Sequence, residues 1–150
     1  MGQLSQFGIK DANLLLENGA AAIASTEVNS GGEIDLGAGH VSGMLIVQVS
    51  AIEVDSDNES YKIELQGTNT SGFGTATANV VLATLHLGAN EVTGATPADT
   101  GTDTPTGVYQ VPFNNDFAGT TYRYVRLKVT VAGAGVTTGI QYKAWLGLAK

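Results

Sequence analysis

The chain contains no cysteine among its 150 residues. That absence excludes disulfide bonds, thiolate nucleophiles and thiolate ligands for a metal ion. Charged residues are scarce as well, at 14% of the chain, against about 25% in an average soluble domain. We therefore expect a single domain that is stabilised by packing, since a chain of this length buries roughly 70% of the surface that it exposes when unfolded.

Basic residues are few: seven Lys and Arg side chains stand against fourteen Asp and Glu, which gives a net charge of −7. The acidic residues are spread along the chain, and the sequence contains no basic run. Affinity for nucleic acids depends on Lys and Arg side chains that neutralise phosphates. The composition therefore argues against DNA or RNA as a partner.

Long apolar stretches are also missing, because no segment approaches the roughly twenty apolar residues that cross a bilayer. The candidate leader "NLLLENGAAAIAS" is interrupted by Glu17, Asn18 and Gly19 and follows a weakly charged front, which a signal peptide does not tolerate. We expect no membrane partner and no Sec-dependent export.

Sequence motifs for catalysis and metal binding are absent too. His40 and His86 are solitary, without a second histidine at ligand spacing, and we interpret both as structural or surface residues. Neither a G-x-S-x-G motif, nor a phosphate-cradling glycine loop, nor a pair of catalytic carboxylates occurs. The sequence predicts a protein that is not an enzyme and has no cofactor.

One acidic turn has the start of a calcium-binding pattern. Asp55, Asp57 and Glu59 occupy positions 1, 3 and 5 of such a loop. Its sixth position is Ser60 where glycine is needed, and its twelfth is Gln66 where glutamate is needed. We therefore predict a solvated turn with no metal site.

The residues that are abundant favour β-structure. The chain has twenty glycines and seventeen threonines, which suit tight turns and pleated strands. In the stretch "YRYVRLKVTV", the apolar residues Val125, Leu127, Val129 and Val131 alternate with polar or amphipathic ones. Alternation of this kind is typical of a strand with one buried and one solvated face.

Further strands follow from the same criterion. "SGMLIVQVSAIEV" places Leu45, Val47, Val49 and Ala51 on one face and is predicted to be central, and "DSDNES" is predicted to join it to "YKIELQG" as a hairpin. Other predicted strands are "EIDLG", "VVLATLHLG", "VYQVPF", which Pro112 places at an edge, and "IQYKAWLGLA". Seven or eight strands with turn signals between them indicate an all-β, antiparallel two-sheet sandwich or jelly roll.

Two segments fall outside the strand pattern. Residues 1–22 are predicted to form an extended N-terminal arm that precedes a sandwich domain at 23–150, with a short helix from Asp11 as the alternative. In the arm, Phe7, Ile9 and Leu14 are candidates to grip a neighbouring surface. The second segment, residues 91–107, is rich in Thr, Gly, Pro and Asp, and we predict a mobile surface loop.

The order of these segments resembles that of a known family. "EIDLG", a long apolar strand, "YKIELQGTNTSGFG", "VVLATLHLG" and "TYRYVRLKVTVAGAGVTTGIQYKAWL" are together similar to the capsid cement, or decoration, proteins of tailed bacteriophages. The likeness spans about residues 23 to 148. It includes a late segment in which Tyr124 and Arg126 precede a strand that is followed by a glycine-rich turn.

The resemblance implies a jelly-roll fold and a structural role in the virion. The expected partners are the major capsid protein and further copies of the chain, as a dimer or trimer, because capsid positions lie on symmetry axes. The expected location is the outer surface of the capsid, after synthesis in the bacterial cytoplasm. A net negative charge suits that surface, away from packaged DNA.

The basic cluster in the late strand has two interpretations. Arg123, Arg126 and Lys128 contact acidic groups of a neighbouring subunit or of the capsid protein, or they pair within the chain with Glu53, Glu64 or Gln141. Trp145 alternates with the apolar row of its strand, so its side chain is predicted to point to the other face of the sheet. It packs either between subunits or over a sheet edge.

An alternative function belongs to a different class. Jelly rolls also serve as carbohydrate-binding or receptor-adhesion modules, in which exposed aromatic rings contact the glycan. The aromatic residues available for such a platform are Tyr61, Tyr109, Tyr122, Tyr124, Tyr142 and Trp145.

Overall fold

The computed structural model describes residues 12–28, 32–55, 57–73, 79–89 and 104–148. Within these ranges the chain forms eleven β-strands and two single turns of 3-10 helix, Ala12–Leu14 and Ser71–Phe73. The strands are β1 (Leu15–Glu17), β2 (Glu27–Val28), β3 (Ile34–Asp35), β4 (Ser42–Ile52), β5 (Ser60–Thr68), β6 (Val80–Gly88), β7 (Gly107–Asn114), β8 (Asp116–Phe117), β9 (Thr120–Thr121), β10 (Tyr124–Ala132) and β11 (Ile140–Leu148).

Two sheets account for nine of these strands, and every strand pair is antiparallel. The four-stranded sheet has the order β1-β11-β4-β7. The five-stranded sheet has the order β2-β10-β5-β6, and β3 pairs with β10 beside β2. Strands β8 and β9 form a separate hairpin between β7 and β10. The all-β, antiparallel architecture predicted from the alternating apolar residues is confirmed.

One contiguous core lies between the sheets. From β10 it takes Val125, Leu127 and Val129, which are fully buried. The four-stranded sheet contributes the buried aliphatic residues of β4. It also contributes every second residue of β11, namely Ile140, Tyr142, Ala144 and Leu146. Because each sheet buries one face against the other, the arrangement is consistent with a two-sheet sandwich.

Strand β4 departs from the predicted alternation at its end. Leu45, Val47 and Val49 face the core as expected, but Ala51 is exposed and Ile52 packs against the core instead. The register with β11 shifts at this point, since Gln141 lies opposite Ala51 while Tyr142 lies opposite Val49. The extra residue of a β-bulge reverses the facing of all the residues that follow it.

The predicted hairpin between "SGMLIVQVSAIEV" and "YKIELQG" is wrong. Strand β4 pairs with β11 and β7, whereas β5 pairs with β10 and β6. The acidic turn therefore carries the chain from one sheet to the other. Alternation along a strand defines which face is buried, but it does not identify the neighbouring strand. The edge position predicted for β7 from Pro112 is confirmed.

The residues at the start of the described chain belong to the four-stranded sheet. Strand β1 pairs with β11, Leu16 is fully buried in the core and Leu14 packs against that core. Part of the segment predicted as an arm, residues 1–22, is thus an edge strand. Phe7 and Ile9 lie outside the described residues, as does most of the predicted loop at 91–107.

A carboxylate fastens the turn before β11 to the end of β4. Glu53 accepts hydrogen bonds from the backbone amides of Gly139 and Thr138, both at 2.7 Å, and from both the amide and the hydroxyl of Thr137. In return, the Glu53 amide donates to the Gly139 carbonyl at 2.9 Å. Gly139 has φ +71, and a Cβ there would collide with the carbonyl of Ile23.

These bonds affect the acidity of Glu53. The amide of Gly139, followed by those of Thr138 and Thr137, lowers the pKa of Glu53 from its ordinary value of 4.5 to about 2. A carboxyl whose pKa is lower in the folded state stabilises the fold above its unfolded pKa. That stabilisation disappears as the pH falls from about 4.5 to about 2.

We predict that Glu53→Gln lowers the urea midpoint at pH 7, because the neutral amide binds the three backbone N–H groups more weakly. The difference from the natural protein should shrink below pH 4.5 and vanish near pH 2. Urea denaturation at several pH values measures it. Glu27→Gln, at an exposed position of β2, is the matched control. A difference that stays constant down to pH 2 would contradict this account of Glu53.

Candidate interaction surface

The basic residues of β10 lie on the outer face of the five-stranded sheet. Successive side chains of a strand point to opposite faces, so the buried row of Val125 and Leu127 directs Arg126 and Lys128 outward. Across the sheet, Arg126 is opposite Gln66 and Lys128 is opposite Glu64. The outward orientation expected for these two basic residues is confirmed.

Arg123, which precedes β10, is engaged within the chain. Its Nε and Nη2 donate to the two carboxylate oxygens of Asp35 at 2.8 and 2.7 Å. Its guanidinium also lies 5.2 Å from the ring centroid of Tyr124. The hydrogen bond from Arg123 and one from the Gly37 amide lower the pKa of Asp35 to about 2. The acidic partner is therefore Asp35, which is none of the three intramolecular candidates that the sequence suggested.

Arg126 has a different environment. Its Nε donates to the side-chain oxygen of Gln66 at 3.1 Å, and its guanidinium lies 4.2 Å from the ring centroid of Phe73. No hydrogen bond of either Nη nitrogen is found among the described residues. Burial lowers the pKa of Arg126, and the negative charge of Glu33 opposes that shift.

An open groove of about 190 Å³ lies beside this guanidinium. Its lining residues are Val28, Gly32, Glu33, Gly72, Phe73 and Arg126. Glu33 holds the two walls together, because its carboxylate accepts hydrogen bonds from the Ser71 hydroxyl and the Gly72 amide, both at 2.8 Å. We call this feature the Arg126 groove.

Phe73 reaches the groove through an unusual backbone conformation. Gly72 and Phe73 have φ of +77 and +55, and the Phe73 side chain is only 3% exposed. A bulky residue rarely adopts positive φ, and backbone strain of this kind is concentrated at functional sites. The sequence pattern predicts a loop for "TNTSGFGTATAN" and gives no role to Phe73. Its signal was an aromatic residue between two glycines.

The remaining charges on this face form a small network. Lys62 Nζ lies 2.9 Å from the carboxylate of Glu64, which is largely buried. Lys128 stands opposite the same glutamate on the neighbouring strand. Glu64, one of the intramolecular partners suggested for the basic residues of β10, thus lies opposite Lys128, but its ion pair is with Lys62.

Trp145 belongs to the other sheet. It lies opposite Ile46 of β4 and Leu15 of β1, outside the set of residues that forms the central core, and it is only 5% exposed. Trp145 therefore lies in the sheet opposite to the one that carries Arg126, and Leu14 packs against the core between the two sheets. The interface residues proposed from sequence do not form one surface within the described part of the chain.

A short hairpin that the sequence pattern does not predict follows β7. It consists of β8 and β9, joined by Ala118 and Gly119 at φ +49 and +80, which is the positive-φ pair of a tight hairpin turn. Phe117 is 50% exposed near its tip. At the base, Asp116 pairs with His40 at 2.7 Å, which gives this histidine a surface role.

The base of the hairpin is fixed by Asn115, which is fully buried. Its Oδ1 accepts from the Val41 amide at 2.7 Å, and its Nδ2 donates to the carbonyls of Gly39 and Tyr122 at 3.0 and 2.9 Å. The hairpin is therefore joined to both the segment before β4 and the segment before β10.

No protein-family model matches the chain. A sequence search of curated proteins finds no match either. The case for a function therefore depends on the fold and on the surface.

Across the described ranges, no group of three or more His, Cys, Asp or Glu side chains is placed to hold a metal ion. The same ranges include no helix that is long and apolar enough to cross a membrane.

We predict that Asn115→Ala destabilises the fold by about 2 to 3 kcal/mol, because buried backbone groups lose their hydrogen-bond partners. Urea denaturation at pH 7 measures the change. Asn114→Ala is the control, since Asn114 is an exposed neighbour that accepts one hydrogen bond, from the Asp116 amide, and we expect a loss below about 1 kcal/mol. Equal losses for the two variants would contradict the role given to Asn115.

Proposed function

We propose that the chain is a decoration protein of a tailed-bacteriophage capsid, built as a jelly roll, that binds the outer surface of the shell and stabilises it. The strand order is the observation that carries this proposal. It supports the fold that the sequence resemblance implies.

The order becomes clear when β2 and β3, which share one edge of β10, are treated as a single broken strand. Without the β8–β9 hairpin, eight strands then follow one another along the chain. Numbered one to eight, they give the order 1-8-3-6 in one sheet and 2-7-4-5 in the other. This order supports the proposal of a jelly roll, in which two Greek keys wrap around each other.

Hydrogen bonds from buried or turn-binding side chains hold the loops at the ends of the sandwich. Such loops suit a protein that binds a surface by shape complementarity. Glu53 holds the turn before β11, and Asn115 holds the hairpin between β7 and β10. A binding body with rigid loops loses little conformational entropy on attachment. On a symmetric shell, many weak contacts of this kind reinforce one another when the attached copies are also linked to each other.

The aromatic residues give little support to the carbohydrate-binding alternative. A glycan platform requires exposed rings, yet Tyr61, Tyr142 and Trp145 are all 5% exposed or less. Tyr61 and Tyr142 belong to the core between the sheets. Half of the six aromatic residues that suggested this function are thus unavailable to a ligand at the surface.

The test is cosedimentation of the purified protein with heads of the phage that encodes it, assembled without it. We expect saturable binding, with a stoichiometry fixed by the symmetry of the shell, and a higher temperature of head rupture after binding. Heads of a phage with an unrelated shell protein are the control. Absence of binding, or rupture at the same temperature with and without bound protein, would overturn the proposal.

A further inference from the structure

We propose that the Arg126 groove is a receptor for a single carboxylate side chain that projects from the surface of the shell protein. The inference rests on the proposed function for the identity of the partner. The chemistry of the groove itself comes from the described residues alone.

The guanidinium of Arg126 is only partly engaged by the described residues. Gln66 engages Nε, and the ring of Phe73 covers one face of the group. The two Nη nitrogens remain, and they have no hydrogen bond within the part of the chain that the structure describes. A guanidinium binds a carboxylate through parallel N–H groups in a fixed geometry. An acidic side chain is therefore the group that completes the hydrogen bonding of Arg126.

The groove is formed before any partner binds. Glu33 ties residues 32–33 to residues 71–72 through two hydrogen bonds of 2.8 Å. Phe73 keeps its ring under Arg126 despite a positive φ. Strained backbone persists only where its surroundings enforce it. A receptor that is held in its binding geometry gains affinity because it loses little freedom on binding.

The size and polarity of the groove suit a single acidic side chain. Its volume is about 190 Å³, and apolar cavities of about 150 Å³ hold a benzene molecule. One side chain therefore fits. Val28, which is 45% exposed, and Phe73 supply apolar walls. Such walls suit the aliphatic stem of a glutamate or aspartate better than a free inorganic anion, which has no apolar part.

The charges around the groove also favour an acidic partner. Arg126, Lys128 and Lys62 share the outer face of the five-stranded sheet. The carboxylate of Glu64 already pairs with Lys62, and that of Glu33 already binds Ser71 and Gly72. These five groups are three cations and two carboxylates, so the face has a small positive excess on a chain whose net charge is −7. Two copies of such a chain repel each other overall, which favours a shell protein over a second copy as the source of the carboxylate.

The main experiment compares Arg126→Gln with Arg123→Gln in cosedimentation with undecorated heads. The two residues are three positions apart, but Arg123 is already paired with Asp35. We expect Arg126→Gln to weaken binding at least about tenfold and Arg123→Gln to change it less than about threefold. Circular dichroism melting of both variants establishes that they fold. Equal binding by the natural protein and folded Arg126→Gln would overturn the inference and leave the proposed function standing.

A second measurement uses the natural protein alone, without phage heads and without variants. The Nε–Hε signals of the arginines are followed by NMR during titration with N-acetylglutamate methylamide. We expect the Arg126 signal to move and the Arg123 signal to stay, with no response to N-acetylglutamine methylamide. No shift with the glutamate probe would overturn the inference, whether or not the protein binds heads. An equal shift with inorganic phosphate would also overturn it, in favour of a site for free anions.

Sedimentation velocity tests whether the carboxylate comes from a second copy of the chain. If the natural protein associates and Arg126→Gln is monomeric, the groove receives a side chain of a second copy, and the inference is wrong about the partner. We expect the two proteins to have the same mass in solution. Failure of the natural protein to bind heads at all would instead overturn the proposed function, while the NMR titration would still decide whether the groove takes a carboxylate.

Discussion

Burial of one face of each sheet against the other is the constraint on which the rest of the structure depends. Side chains alternate along a strand, so the burial of Val125, Leu127 and Val129 leaves Arg126 and Lys128 no position except the outer face. A shift of one residue in the register of β10 would bury two positive charges in an apolar core, at a large cost in free energy. The packing of the core therefore also determines which chemistry the surface presents.

The same constraint explains how much of the fold could be predicted. The alternation of apolar and polar residues identified the long strands and their buried faces, because burial of one sheet face selects an apolar residue at every second position. It could not identify strand partners, so β4 and β5 were joined incorrectly. It also could not locate the bulge opposite Gln141 and Tyr142, since the extra residue has no local signature. Both features are set by contacts between segments that are distant in the chain.

The candidate surface was less predictable for a related reason. Arg123 and Arg126 look alike in the sequence, yet one forms a bidentate pair with Asp35 and the other lies between Gln66 and Phe73. Their partners come from segments about 50 to 90 residues away in the chain. The strand pattern placed Arg126 on the outer face. Only the folded structure shows that the guanidinium of Arg123 is paired with Asp35. It also shows that the Nη nitrogens of Arg126 lie beside a groove.

The conformation of Phe73 connects the fold to the proposed role of the groove. A buried aromatic ring could be supplied by a residue with ordinary backbone geometry, so positive φ at Phe73 brings no evident benefit to the core. Its ring instead lies against the guanidinium of Arg126, where it limits the orientations that the group can adopt. The bonds from Glu33 to Ser71 and Gly72 hold the strained turn in place. The strained backbone lies beside Arg126 and not beside its neighbour Arg123. This difference is easier to explain if Arg126 binds a partner.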